Sequence, residues 1–166
     1  MSTKAVVLLA CLLISSLAAI VPSFSTEPVR VYVDPPSVVD PGAFFNVSVK
    51  VDNLVDLAGV QFVLTWDPTL LRAVNMTEIM FHEVTPQSEW DNIWILKNEI
   101  KSGRADYSYL WWDLIRASAG GYAPISGNHT MAIITFQVLG VGSCPLSFIR
   151  VWTVLADSDA ETIAMT

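Results

Sequence analysis

The feature that most constrains the fold is a regular alternation of apolar and polar residues. Within residues 45–51 every second residue is apolar and the residues between them are polar. Successive side chains of a strand point to opposite faces, so this pattern predicts a strand with one buried and one solvated face. The alternation returns within residues 60–66 and stops at Asp67-Pro68, because proline cannot donate a hydrogen bond to a β-ladder.

Further segments rich in β-branched and aromatic residues predict seven more strands. These are residues 29–33, 70–77, 93–96, 106–112, 131–138, 146–155 and 162–164. Short runs of Gly, Pro, Asn and Ser separate them and predict turns. Only residues 110–119 suggest a helical turn. Nine short strands joined by turns indicate an all-β protein built as a β-sandwich.

The first 25 residues differ from the rest of the chain. Lys4 precedes an uncharged apolar run, and small residues lead to Ser23 and Ser25. This pattern predicts a secretory signal peptide at residues 1–25, followed by one domain at residues 26–166. Two alternatives remain: an uncleaved anchor, since about 17 apolar residues is near the minimum for spanning a bilayer, and lipidation at Cys11. All three predict a secreted or cell-surface protein, with membrane contact only if the segment is retained.

The net charge indicates which partners the chain can bind, and the cysteine content shows whether a disulfide can form. Without Lys4 the chain has eight basic and sixteen acidic residues, a net charge of −8. This excess of acid argues against nucleic acid, whose phosphates require a basic surface. Only Cys144 remains outside the N-terminal segment, so no intrachain disulfide can form there. We expect Cys144 to act as a small buried hydrophobic residue.

Motifs for catalysis or for a cofactor are not found in the sequence. It contains no nucleophile elbow, phosphate-binding loop or dinucleotide fingerprint. His82 and His129 lie in separate loop-like regions without a Cys or carboxylate at ligand spacing, so we expect neither a metal site nor a catalytic triad. The acidic run from Asp157 lacks the glycine of a calcium loop and predicts a polar turn. Asp67 is likewise expected to shape a turn.

Aromatic residues suggest one alternative function, the binding of polysaccharide. The chain has six tryptophans, and sugar rings stack on exposed aromatic faces. Trp90 and Trp112 are the candidates for such stacking. Tyr107, Tyr109 and Trp111 share a strand face that we expect to pack inward, with Asp106 and Ser108 meeting water. Asn46, Asn75 and Asn128 each begin an N-glycosylation sequon.

One stretch is more specific than the general pattern. Residues 59–71, Gly-Val-Gln-Phe-Val-Leu-Thr-Trp-Asp-Pro-Thr-Leu-Leu, resemble the signature of cohesin modules of cellulosome scaffolds, in which an alternating strand ends in aromatic-Asp-Pro. The Val-x-Val opening at Val31 and Val33, the turn at Pro41-Gly42 and the approach at residues 52–59 agree in order. Residues 125–136 and 155–163 resemble the late strands of these modules. The resemblance covers residues 29–164.

The resemblance implies a nine-stranded jelly-roll sandwich that binds a dockerin module without catalysis or cofactor. It also implies that one sheet face docks the partner, through the outward residues of the aromatic-Asp-Pro strand. Here those partner-binding positions are Gly59, Gln61, Val63 and Thr65. Gly59 and Gln61 stand where many cellulosomal members have Asn and Asp, which implies a different partner specificity. Polysaccharide binding and a structural role in cell-surface adhesion are the alternative functions.

Overall fold

The computed structural model describes residues 27–36, 39–85, 87–111 and 125–165. Eight strands lie in these ranges: β1 (Arg30–Asp34), β2 (Phe44–Thr65), β3 (Leu71–Glu78), β4 (Ile93–Lys101), β5 (Arg104–Trp111), β6 (Ile125–Val138), β7 (Ser147–Phe148) and β8 (Val154–Asp157). They are joined by one short helix, α1 (Met80–Val84), and two 3₁₀ helices, Gln87–Asn92 and Arg150–Trp152. The prediction of an all-β protein is confirmed.

The long strand β2 belongs to both layers of the sandwich. Its N-terminal half pairs with β1 on one side and β6 on the other, and β3 pairs with the far edge of β6. Its C-terminal half pairs with β5 on one side and with β7 and β8 on the other, and β4 pairs with β5. We call β1-β2-β6-β3 the first layer and β7/β8-β2-β5-β4 the second layer.

Two residues with positive φ bend β2 between the layers. Asn53 has φ 60° and Asp56 has φ 58°, a region that Asn and Asp tolerate better than most residues. Side chains of the neighbouring segment satisfy the backbone at the bend, because Asn128 Oδ1 accepts from Asn53 N at 2.9 Å and Ser126 Oγ from Asp56 N at 3.1 Å. The two strands predicted at residues 45–51 and 60–66 are therefore halves of one bent strand.

The apolar side chains predicted to alternate into the core do so. Val47, Val49, Phe62 and Leu64 are fully buried between the layers. Trp66, also buried, packs edge-on against Phe136 of the other layer, with 5.0 Å between ring centres. Its indole Nε1 donates to the Leu71 carbonyl at 2.9 Å. The aromatic-Asp-Pro signature is therefore first of all a core and turn structure.

Two predictions about strands need correction. The strand expected at residues 146–155 is divided into β7 and β8 by the 3₁₀ helix Arg150–Trp152. The strand expected at residues 162–164 is only an isolated bridge between Thr162 and Ala156. In β6, Met131 is fully buried, and a bulge breaks the register of the strand there.

Helix α1 was not predicted, and a buried carboxylate explains its position. Glu78 Oε1 accepts from Phe81 N at 2.6 Å, and Glu78 Oε2 accepts from His82 N at 3.2 Å. These bonds satisfy backbone donors at the start of the helix. The predicted signal peptide lies outside the described residues. Of the helical turn predicted at residues 110–119, residues 110 and 111 belong to strand β5 instead, and the others lie outside the described residues. Among the described helices none is long and apolar enough to span a bilayer.

Candidate functional site

The four residues predicted to bind a partner share one outward side of β2 in the second layer. Gly59, Gln61, Val63 and Thr65 alternate with the buried core side chains of the same strand. This orientation agrees with the predicted alternation. They are less accessible than a docking surface requires, however, because Gly59 and Val63 are buried and the other two are half-buried.

Leu110 covers Gly59. A Cβ atom built on Gly59 would lie 2.9 Å from Leu110 Cδ1 and 3.7 Å from the Ala156 side chain. Gly59 pairs with Leu110 on one side and with Ala156 on the other. The absence of a side chain at residue 59 therefore lets Leu110 lie across the middle of the layer.

The connection between β7 and β8 lies against the other end of this surface. Ile149 N donates to the Val63 carbonyl at 2.9 Å, and Gln61 Nε2 donates to the Trp152 carbonyl at 3.3 Å. The Trp152 side chain, 45% exposed, lines a shallow depression of about 130 Å³ together with Val63 and Lys97. Trp152 is thus part of the outer surface that the sequence assigned to β2 alone.

A buried carboxylate organises the charged side chains of the surface. The Asp106 side chain is 2% exposed, although the strand pattern predicted that it would meet water. Arg104 Nε and Nη2 donate to Asp106 Oδ1 at 2.8 and 2.6 Å, and Lys101 Nζ lies 3.4 Å from Oδ2. Ser108, also expected in water, is 5% exposed. Both residues point outward as predicted, but neighbouring side chains cover them.

The pKa of Asp106 reflects two opposing effects. Burial alone raises the pKa of this carboxyl, but the hydrogen bonds and positive charge of Arg104, with a smaller contribution from Lys101, lower it below its ordinary value. The same contact raises the pKa of Arg104. The carboxylate is therefore ionised and serves as a fixed anchor for two cations.

The outer surface of the second layer consists of four cross-strand rows, which we call the outer face. From one end of the layer to the other the rows are Trp94-Leu110-Gly59-Ala156, Lys97-Ser108-Gln61-Val154, Glu99-Asp106-Val63 and Lys101-Arg104-Thr65-Ser147. The first row is apolar, and the others contain the charged groups. The most accessible side chains lie on β4 and at Trp152, not on β2.

The second predicted site, sugar stacking, is only partly described. Trp90 is 40% exposed, but its Nε1 donates to the Thr85 carbonyl at 3.2 Å and its ring packs edge-on against His82. Trp112 lies outside the described residues. Tyr107 and Tyr109 are buried, as predicted for the inward face of their strand, and the side chain of Trp111 is not described.

His82 has a carboxylate partner that the sequence analysis did not identify. Its Nδ1 is paired with Glu78 Oε2, four residues earlier. The i,i+4 spacing was visible in the sequence, but the expectation of a loop hid it. His129 Nε2 lies 2.9 Å from the Ser126 carbonyl oxygen. Among the described residues no group of three or more His, Cys, Asp or Glu side chains could hold a metal ion.

The two aspartates predicted to shape turns, Asp67 and Asp157, both do so. Asp67 Oδ1 accepts from Thr69 N at 2.8 Å and from Thr69 Oγ1 at 2.7 Å, as expected for a turn. Asp157 Oδ1 similarly accepts from two backbone N–H groups of its turn.

Cys144, which was predicted to be buried, is only half-buried, and its Sγ lies 3.3 Å from Asp67 N. The sequon residues Asn46, Asn75 and Asn128 are all exposed; their glycosylation stays a prediction.

Comparison with known proteins identifies the fold. No family model matches the sequence, and no curated protein sequence matches it significantly. Solved structures do match. The sixth cohesin of Acetivibrio cellulolyticus scaffoldin B, solved with a Cel5 dockerin mutant, is 18% identical, with a TM-score of 0.65 over 84% of this chain and 94% of that one.

Two further structures agree. A type II cohesin domain from the cellulosome of A. cellulolyticus is 21% identical, with a TM-score of 0.63 over 83% of this chain and 88% of that one. A type I cohesin of Clostridium thermocellum, solved with the dockerin Doc435, is 14% identical, with a TM-score of 0.63 over 84% and 88%. The chain has the cohesin fold, a β-sandwich of jelly-roll type, as the sequence resemblance implied.

Proposed function

We propose that this chain is a non-catalytic interaction module that docks a dockerin-type partner outside the cytoplasm. The observation that carries the proposal is the similarity of the fold, over 84% of the chain, to cohesins solved in complex with dockerins. The signal-peptide pattern of residues 1–25 supports export. Because these similarities lie at 14–18% identity, the partner has to be argued from the surface.

The outer face is the docking surface in this proposal. It lies on one side of a four-strand layer, and it combines an apolar row with adjacent charged rows. Specific protein interfaces typically combine aromatic or aliphatic contacts with polar and charged ones. Gly59, Gln61, Val63 and Thr65 form its floor, whereas β4 and Trp152 provide the accessible side chains.

The buried Asp106 carboxylate holds the Arg104 side chain in place before a partner binds. Arg104 is held by a buried carboxylate and by its contact with the Trp152 ring. Side chains that are already fixed lose little conformational entropy on association, which favours binding. This preorganisation supports the recognition of a partner.

One binding experiment distinguishes dockerin binding from the two alternatives, polysaccharide binding and adhesion. The mature chain, residues 26–166, is immobilised and offered every dockerin module encoded in its source genome, with calcium and with a chelator. We expect at least one module to bind with calcium and to be released by the chelator. Retention on insoluble polysaccharide without dockerin binding, or self-association alone, would contradict the proposal.

A further inference from the structure

The basic residues of this acidic protein are concentrated on the outer face. Seven Lys or Arg residues lie in the described part of the chain, and three of them, Lys97, Lys101 and Arg104, belong to the outer face. Of the fifteen acidic residues in the same part, only Glu99 and Asp106 belong to it. The charge of this face is therefore opposite to that of the rest of the molecule.

Burial determines which of these charged side chains an approaching molecule can contact. The Asp106 carboxylate is 2% exposed, whereas the Arg104 and Lys101 side chains above it are 31% and 57% exposed. An approaching molecule meets the cations first. Glu99 offsets one of them, since its Oε2 lies 2.9 Å from Lys101 Nζ. What the outer face presents is thus two cationic positions, at Lys97 and at Arg104.

Lys97 is the less satisfied of these two cations. Within the described part of the chain no carboxylate lies within 4 Å of its Nζ. It stands in register with Ser108 and borders the depression that contains Trp152. Arg104 is paired through Nε and Nη2, and its Nη1 donors have no acceptor among the described residues. Both positions can receive a carboxylate.

The distance between the apolar row and Arg104 indicates how long a partner segment the outer face can bind. Trp94 and Leu110 lie at one end of the outer face, and Arg104 lies three rows away on the same strand as Leu110. Alternate residues of a strand are about 6.8 Å apart, so the rows span about 20 Å, the length of roughly 13 helical residues. An amphipathic helix of that length fits the surface.

Resting on the docking function proposed above, we infer that the partner of this chain is an acidic helix. It places an apolar residue on Trp94 and Leu110, and it places Asp or Glu side chains against Lys97 and Arg104. Charge complementarity of this kind sets association rate and specificity. It also separates this surface from the remainder of the protein, whose acidic charge would repel the same helix.

Two pairs of molecules, one of protein variants and one of peptides, test the inference. The first is the pair of variants Lys97→Glu and Arg72→Glu, which introduce the same charge change on opposite layers, since Arg72 is exposed on β3. The second is a pair of 14-residue helical peptides with identical apolar positions, one with Glu and one with Lys along the flank. Thermal unfolding of both variants checks that the fold is retained.

We expect Lys97→Glu to slow association of a calcium-loaded dockerin about tenfold at low salt, an effect that decreases as salt rises. Arg72→Glu should change the rate less than twofold. The Glu peptide should shift the indole NMR signals of Trp94 and Trp152 more than the Lys peptide does.

A dockerin that binds both variants equally would overturn the inference and leave the docking function standing. A response to the Glu peptide alone, with no dockerin bound, would support the acidic preference while contradicting the docking function. Equal responses to the two peptides, or no response to either, would overturn the inference.

Discussion

The guanidinium of Arg104 lies over the ring of Trp152, with 5.0 Å between its central carbon and the ring centre. Arg104 comes from β5, whereas Trp152 comes from the 3₁₀ helix between β7 and β8, at the opposite edge of the layer. The contact crosses β2 and closes over its outward residues. It depends on Asp106, whose buried carboxylate holds the guanidinium in place.

Removing the negative charge of Asp106 should destabilise the protein. Asp106→Asn keeps the size of the side chain but weakens the bonds from Arg104 and Lys101, so we expect a loss of about 1–3 kcal/mol in the free energy of unfolding. Urea denaturation measures it. Glu161→Gln, at an exposed carboxylate, is the control and should change stability by less than about 0.5 kcal/mol. Equal stability of the two variants would contradict the anchoring role.

The same residue should make stability depend on pH. Its folded-state pKa is lowered, because Arg104 outweighs the opposing effect of burial. A carboxyl with a lowered folded-state pKa contributes stability above its unfolded-state pKa of about 3.9, and this contribution is lost as pH falls through the folded-state value. Between pH 6 and pH 3 the wild type should therefore lose more free energy of unfolding than Asp106→Asn. Parallel curves would show that Asp106 does not contribute in this way.

Glu78 should be important for the segment between β3 and β4. Its buried carboxylate accepts two backbone N–H groups at the start of α1, and these groups lose their partner in Glu78→Ala. We expect a loss of about 2–3 kcal/mol, the cost of unsatisfied buried donors. Glu83→Gln changes an exposed carboxylate in the same helix and serves as the control. Denaturation curves measure the loss of stability, and we expect faster amide exchange at Phe81 and His82 in Glu78→Ala.

Docking should be sensitive to a large side chain at residue 59. In Gly59→Arg the new side chain would displace Leu110, since even a Cβ atom lies 2.9 Å from it. We expect dockerin affinity to fall at least about tenfold, because the apolar row is disrupted. Thr135→Arg, on the outer surface of the first layer, should leave affinity within about twofold. A larger loss from Thr135→Arg would place the docking surface on the other layer.

The sequence predicted the layers of this fold better than it predicted the accessibility of their surfaces. Period-two alternation identified the buried residues of β2 because strand geometry alone determines which face a side chain occupies. It assigned Val63 and Asp106 to the outside for the same reason. Their burial depends on Trp152, which comes from a distant part of the chain, and on Arg104, which is two residues from Asp106. The spacing of Arg104 and Asp106 was visible as a same-face pair, but the position of Trp152 required the register of β7 with β2.

The bend in β2 illustrates a second limit. Asn53 and Asp56 were visible as residues that tolerate positive φ, yet the sequence does not show that the hydrogen-bonded strand continues through them. Continuity depends on Ser126 and Asn128, which satisfy the backbone from about 70 residues away. Local patterns cannot report such contacts, because the partner residues become neighbours only in the folded sandwich.

We propose that a dockerin docks on the outer face of the second layer. Hydrogen–deuterium exchange of residues 26–166, with and without a calcium-loaded dockerin that binds them, tests this most directly. We predict slower exchange in β4, in β5 and around Trp152, with no change in β1 or β3. Protection confined to β1 and β3, or to neither layer, would contradict the account.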